Sequence, residues 1–223
     1  MIKKSGLFVT IEGTEGVGKS TAIRFLQAYL AEQGVDVVVT REPGGTEIAE
    51  AIRQLILAHH NEEMTEDAEL LMMFASRAQH IASIIKPALD AGKLVLCDRF
   101  TDASFAYQGA GRGISEDYIG ALEKWVQKGL KPALTILLDA PASVGVARAK
   151  HRSPADRIER EKVQFFSRVR GCYLARAALD PERFRTIDAS QSLSYVREAL
   201  KQTMDDFLAR HLSGSTDAAT NDE

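Results

Sequence analysis

The residues best equipped for chemistry come early: Gly13-Thr14-Glu15-Gly16-Val17-Gly18-Lys19-Ser20 matches G-x-x-x-x-G-K-[ST]. It follows an apolar, β-branched run and opens a helical pattern, the two contexts the motif requires. Glycines 13, 16 and 18 let backbone N–H groups turn inward around phosphate oxygens. The helix beginning near Lys19 adds the positive end of its dipole, and Lys19 itself adds a point charge. The Ser20 hydroxyl is suited to reach Mg²⁺. A glycine-rich turn that merely joins strand to helix does not account for the full eight-residue pattern.

A second centre is Asp98-Arg99, which ends another apolar run and sends a carboxylate and a guanidinium out of a strand's carboxyl end. Asp98 is suited to orient metal-bound water and Arg99 to grip an acceptor phosphate through paired hydrogen bonds; a structural ion pair is the alternative. Asp139 ends a strand similarly, but Ala140-Pro141 follows it, and a capping or structural role is expected. From Arg148 to Lys162, six basic residues (Arg148, Lys150, Arg152, Arg157, Arg160, Lys162) face three acids, with Ser153-Pro154 interrupting the helical spacing. That segment reads as a lid over the site, about residues 148–160, whose closure excludes water. The five histidines show no metal-site spacing, and no G-x-S-x-G elbow or Cys-His pairing suggests a covalent nucleophile.

These groups must be positioned by the elements around them. Leu7–Ile11, Val35–Thr40, Leu94–Cys97, Leu134–Leu138 and Phe184–Ile187 read as buried strands. Between and after them, helical spacing runs over Ser20–Gln33, Glu47–Ala58, Glu66–Ala91, Glu116–Lys128, Ala142–Lys150, Ile158–Leu179 and Leu193–Leu212. Alternation of this kind predicts an α/β fold, a parallel five-stranded sheet with helices on both faces. Ligands in such sheets bind beyond the carboxyl ends of the strands, so the chemistry is expected just after Ile11, Thr40, Cys97 and Leu138. Residues 1–212 read as one domain, and Ser213–Glu223 as a disordered tail with almost nothing to bury.

Composition narrows the classes. At 223 residues with 45% hydrophobic and 26% charged, the chain is globular and long enough to bury roughly 70% of its unfolded surface. Lys and Arg total 28 against 31 Asp and Glu, and Asp217, Asp222 and Glu223 in the tail account for the whole excess of acid. A generally basic nucleic-acid binder is excluded on that balance. The apolar run at Leu7 stops at Glu12, too short for export or a membrane span, and a cytoplasmic protein is expected. Among nucleotide-binding classes, the guanine-reading N-K-x-D of GTPases is missing, and Asp117-Tyr-Ile-Gly120 falls inside a helical pattern rather than after a strand. Chain length favours a self-contained kinase over large remodelling ATPases.

Arg41-Glu-Pro-Gly-Gly-Thr46, Asp98-Arg-Phe100, Ala106-Tyr-Gln-Gly109 and Asp156-Arg-Ile-Glu159, taken with the phosphate loop, resemble the bacterial thymidylate kinases from about Leu7 to Leu212. The resemblance implies the P-loop kinase fold, transfer of the ATP γ-phosphoryl group to dTMP with Mg²⁺ held at Ser20 and Asp98, and a homodimer. It implies ATP contacts from residues 13–20, Thr21, Arg148 and Gln191. It implies a dTMP pocket formed by Glu42, Pro43, Arg77, Arg99, Ser104, Tyr107, Gln108 and Tyr173; Arg53 either reaches the acceptor phosphate or is a surface residue. The position of the family's stacking phenylalanine holds Met73, with Phe74 beside it, so either residue is expected to cover the base. Because positions 14–17 contain no arginine, the lid is expected to supply the catalytic one, Arg152 first and Arg157 second, with Glu15 orienting it or the acceptor sugar. Two other readings stay open from the residues alone: a kinase for another nucleotide or small metabolite, and a nucleotide-dependent switch.

Overall fold

A computed structural model describes residues 6–149 and 156–212. Five strands, β1 (Leu7–Glu12), β2 (Val37–Arg41), β3 (Leu94–Asp98), β4 (Leu134–Asp139) and β5 (Phe184–Asp188), form one parallel sheet in the order β2-β3-β1-β4-β5. The three inner strands, β3, β1 and β4, are almost wholly buried runs of apolar and β-branched residues, as strands covered on both faces must be. β2 departs from the expected burial: it is an edge strand, and Val39 is exposed.

Helices α1 (Lys19–Glu32) and α9 (Leu193–Leu212) cover one face, where Leu26, Leu30, Met204 and Phe207 pack on Val9, Ile11, Leu96 and Ile136. The opposite face carries α3 (Glu66–His80), which runs through a π-helical turn at Ile81–Ile85 into α4 (Lys86–Asp90), and α8 (Val163–Leu179). Helices α2 (Glu47–Leu57), α6 (Glu116–Gln127) and α7 (Ala142–Ala149) complete the cover.

One element has no counterpart in the periodicity. A short helix, α5 (Thr101–Ser104), continues as a π-helical stretch over Phe105–Gly111. Nearly all of it is buried, so it shows no polar face, and without a polar face a helix leaves no amphipathic signal. Its acid, Asp102, is satisfied inside the fold: Arg176 Nε (2.7 Å) and Arg183 Nη1 (2.6 Å) donate to its two oxygens. Those arginines hold its carboxyl below the usual range against the opposing effect of burial.

Pairing register sets the site. Ile11 and Arg41 both lie level with Asp98, so the ends of β1, β2 and β3 form one rim. Arg99 N–H continues the ladder to the Ile11 carbonyl (3.0 Å) and Glu42 N–H to that of Asp98 (2.9 Å). Helix α7 lies so close to the loop after β1 that a Cβ on Gly16 would stand 1.9 Å from the Gly145 carbonyl oxygen, and one on Gly145 would stand 2.3 Å from that of Glu15. Gly171, midway along α8, has open space instead. The two helical glycines therefore respond oppositely. In urea unfolding, Gly145→Ala is expected to cost about 1–3 kcal/mol through overpacking, whereas Gly171→Ala gains about 0.5–1 kcal/mol from helix propensity.

Candidate active site

The loop between β1 and α1 turns at three positive-φ glycines, Gly13 (138°), Gly16 (73°) and Gly18 (98°), conformations in which a side chain would be strained. Lys19 is buried, and its ammonium donates to the Gly13 (3.2 Å) and Thr14 (2.8 Å) carbonyls, with Glu15 3.9 Å away. Burial and the neighbouring Arg99 lower its affinity for its proton. Facing the loop is a cavity of about 230 Å³ lined by Glu15, Gly16, Gly18, Lys19 and Ser20 on one side. Glu42, Pro43, Arg53, Met73, Asp98, Arg99, Tyr107 and Gln108 line the other.

Arg99 is the hub. Its backbone is left-handed (φ 69°), a conformation costing about 1–2 kcal/mol for a residue with a Cβ. The guanidinium donates from Nη1 to the Gly13 carbonyl (2.9 Å) and the Tyr173 hydroxyl (3.2 Å), and from Nη2 to Glu15 Oε1 (2.6 Å). It lies 4.6 Å from the centre of the Tyr107 ring, and the Tyr107 hydroxyl donates to the same Glu15 oxygen (3.2 Å). Burial opposes the charge on Glu15, but Arg99, Lys19 and the Tyr107 bond outweigh it and bring its carboxyl down to about 2. Glu15 thus stays a carboxylate between two cations.

Behind this hub stands Glu12, the last residue of β1, fully buried. Its Oε1 accepts the Phe100 N–H (2.7 Å) and its Oε2 the Tyr173 hydroxyl (2.7 Å). Burial, reinforced by Asp102, pushes its carboxyl up to about 8 against the pull of Arg99, Tyr173 and the Phe100 amide.

On the acceptor side, α3 turns a polar stripe inward: Glu69, Met73, Ser76, Arg77 and His80 are all buried. Arg77 Nε donates to Glu42 Oε2 (2.7 Å) and its Nη2 to the Phe100 carbonyl and Ser104 Oγ (3.1 Å each). Glu42 Oε1 meets His80 Nδ1 (2.9 Å). Glu69 receives Gln108 Nε2 (2.8 Å), Arg112 and Arg157; burial opposes its charge, but these donors keep its carboxyl below the usual range. Three side-chain atoms on this side are buried without a hydrogen-bond partner: Arg77 Nη1, Gln108 Oε1 and Arg112 Nη2, the last lying 3.3 Å from the Glu69 carboxylate.

Several expected pocket residues stand behind the wall rather than on it. Phe74 packs with Leu70, Phe105 and Ile119 beneath the Arg77 guanidinium, so Met73, not Phe74, faces the cavity. The residue at that position points inward because α3 is continuous there, with no local shift. Arg77, Ser104 and Tyr173 are wholly buried and bear on the cavity through Glu42, each other and Arg99. Arg157 turns away to Glu69 and the Ile56 carbonyl (2.9 Å), drawn there by the buried carboxylate. Arg53 does line the cavity, anchored by Nη1 on the Pro43 carbonyl (2.9 Å). Asp139 is held by Arg170 through two 2.8 Å bonds, in keeping with the structural role expected. Arg152 lies outside the described residues.

A second cavity of about 260 Å³ joins Val17, Gly18, Thr21, Arg148 and Gln191 on the far side of the loop. Arg148 is anchored on the Ala189 carbonyl (2.8 Å) and Gln191 on Asp188 Oδ2 (2.8 Å). Thr14 is buried within the loop.

The residues present also suit a magnesium ion. Asp98 Oδ1 is buried without a partner and shares the first cavity with Ser20, while no cluster of three or more His, Cys, Asp or Glu exists among the described residues. One or two protein oxygens, with phosphate and water completing the shell, is how Mg²⁺ is usually held, and an all-protein cage is not.

Glu12, Glu69, His80 and Gly145 were not singled out in the sequence. Glu12 had a signal, a lone acid ending an apolar strand just before the loop, and Glu69-Met73-Ser76-His80 had helical spacing.

The parallel sheet, with its phosphate loop at the carboxyl end of the central strand and a cation-lined cavity beside it, places the chain among the P-loop kinases. The thymidylate kinase sequence profile matches residues 11–200. A Pseudomonas entomophila thymidylate kinase is 54% identical over 206 residues, covering 92% of this chain and 98% of that protein. One from Alcanivorax borkumensis is 53% identical over 205 residues, covering 92% and 99%. The crystal structure of thymidylate kinase from Ehrlichia chaffeensis superposes with a TM-score of 0.73 at 32% identity, covering 91% and 98%. The chain belongs to the thymidylate kinase family.

The Glu15 carboxyl gives a pH test. Its folded pKa lies below the ordinary 4.5, so its contribution to stability is fully present above 4.5 and is lost as pH falls toward about 2. Glu15→Gln is expected to be less stable than wild type at pH 7 in urea unfolding, with the gap closing between pH 4.5 and pH 2.5; a gap independent of pH would remove the carboxylate's role.

Proposed function

We propose that this protein transfers the γ-phosphoryl group of ATP to dTMP, forming dTDP, as a single domain with a lid at about residues 148–160. The observation that carries the acceptor assignment is an unpartnered atom on a residue that lines the cavity, Gln108 Oε1. Gln108 Oε1 can only accept, and its amide cannot be turned over, because Nε2 must face the acceptor-only carboxylate of Glu69. A free acceptor there complements the N3–H of thymine or uracil. Cytosine presents a ring acceptor at that position and would leave Gln108 Oε1 unpaired at a cost of about 1–3 kcal/mol.

The chain's own groups account for the transfer. The loop amides and Lys19 hold the donor phosphates, with the adenosine end directed to the cavity of Arg148 and Gln191. Arg53 and Arg99 bring the acceptor phosphate against the loop, their fixed charges cancelling a repulsion that water would otherwise have to screen. Ser20 and Asp98 would hold Mg²⁺, which when bound neutralises charge on the transferring phosphoryl oxygens. No covalent nucleophile is needed for in-line transfer. Arg157, paired with Glu69, serves the acceptor pocket by fixing Gln108, which leaves the lid cation to Arg152. On this reading the protein works in the cytoplasm, a setting that the unpaired thiols of Cys97 and Cys172 suit.

With Mg-ATP, dTMP is expected to be phosphorylated far faster than dCMP, CMP, AMP or dGMP, followed as diphosphate product; equal rates for dCMP and dTMP would overturn the base assignment. Gln108→Leu should lower kcat/KM for dTMP about 10–100-fold.

We further propose a homodimer. Ile48 and Leu55 on one face of α2, with Leu71 on the adjoining α3, are each more than half exposed and form an apolar strip that a second copy would cover. Leu71→Glu should shift the protein to monomer in sedimentation equilibrium; an unchanged mass would place the contact elsewhere.

A further inference from the structure

Glu12 is a buried acid to which the mechanism above assigns nothing, yet it sits where burial opposes any charge it carries. Its two hydrogen-bond partners are neutral, a backbone amide and a phenol, so it is not there to neutralise a cation by direct contact. What the partners share is Arg99. Phe100 N–H belongs to the peptide immediately after Arg99, and fixing it fixes the left-handed turn that Arg99 adopts at φ 69°. The Tyr173 hydroxyl, in donating to Glu12 Oε2, must turn its lone pairs toward the Arg99 Nη1 that donates to it. One carboxyl group therefore holds both the main chain and the side-chain end of the same residue.

We propose that Glu12 is a positioning residue for the acceptor-side guanidinium, clasping Arg99 by its turn and, through Tyr173, by its Nη1. Left to itself, a non-glycine residue leaves the left-handed region and its guanidinium swings with it. The clasp acts within the third of an ångström or so in which a charged hydrogen bond to a transferring phosphate is strongest. Neither half of the clasp touches substrate in the cavity, since Glu12 and Tyr173 are both buried behind Arg99.

Glu12→Gln separates this role from folding. The amide oxygen still accepts the Phe100 N–H, but Nε2 now donates to the Tyr173 oxygen, competing with Arg99 and leaving the phenolic proton without its acceptor. The assay rests on the dTMP kinase reading above. In the full chain assayed near pH 9, above the value of about 8 at which Glu12 ionises, Glu12→Gln is expected to lower kcat about tenfold with the KM for ATP unchanged, and to change kcat less than about twofold when added to Arg99→Lys, because both changes act on one guanidinium. Effects that multiply, or a folded Glu12→Gln with wild-type kcat, overturn the proposal. Tyr173→Phe removes the same arm and replaces Glu12→Gln in the cycle if that variant does not fold. A wild-type chain inactive on dTMP defeats the functional reading instead, and the clasp is then judged by nitrogen-15 NMR of the arginine side chains. Arg99 Nη–H signals, assigned by their loss in Arg99→Lys, should be resolved through hindered rotation in wild type and collapse in Glu12→Gln. Identical signals in the two proteins overturn the clasp.

Discussion

The site is built around one desolvated cation, the Arg99 guanidinium, held where the ends of β1 and β3 meet. Removing a guanidinium from water is expensive unless its donors are matched, and here the matching partners come from four places: the Gly13 carbonyl, Glu15, the Tyr107 ring and the Tyr173 hydroxyl. Because these lie on the phosphate loop, the 101–111 helical stretch and α8, the cation also ties those elements to one another. Glu15 is the counterweight. A carboxylate inside an anion-binding loop looks out of place until its neighbours are counted, for without it Lys19 and Arg99 would repel each other across a short, poorly screened gap.

The acceptor wall follows the same logic one layer out. Glu42 receives Arg77 and His80, and Glu69 receives Gln108, Arg112 and Arg157, so each buried acid is surrounded by donors and each donor is thereby aimed. Of the four atoms left over among the described residues, Arg112 Nη2 still lies 3.3 Å from Glu69, and Arg77 Nη1, Gln108 Oε1 and Asp98 Oδ1 are informative because buried polar atoms are rarely left unpaired. Gln108 and Asp98 line the cavity, and on the proposed reading their free oxygens are where a ligand's donor and a metal ion would complete the structure.

How much of this could be read from the sequence depended on whether burial left a pattern. The five strands, the phosphate loop and the long helices did, because apolar periodicity and glycine spacing are local properties; the boundaries moved by one or two residues where a strand ran on into its functional acid, as at Glu12 and Asp98. The helical stretch over Thr101–Gly111 left no pattern because it is buried all round. The same physics explains the site. Lys19, in the phosphate-loop motif, and Asp98 and Arg99, at the end of a strand, were legible, whereas Met73 and Phe74 could not be told apart without knowing which way α3 faces. Arg157 was assigned to the lid by its basic neighbours, but a partner 88 residues away in the chain, Glu69, decides where it points. Pairings of that kind carry no local signature.

The most direct test of the account is the single-turnover rate of Arg99→Lys with saturating Mg-ATP and dTMP, alongside its urea unfolding. Lysine keeps the charge but cannot reach the Gly13 carbonyl, Tyr173 and Glu15 together. The account predicts that phosphoryl transfer slows by about a hundredfold or more while stability changes by no more than about 2 kcal/mol. Transfer at close to the wild-type rate would contradict it, because a bare positive charge would then suffice where a fixed, fully bonded guanidinium is claimed to be required.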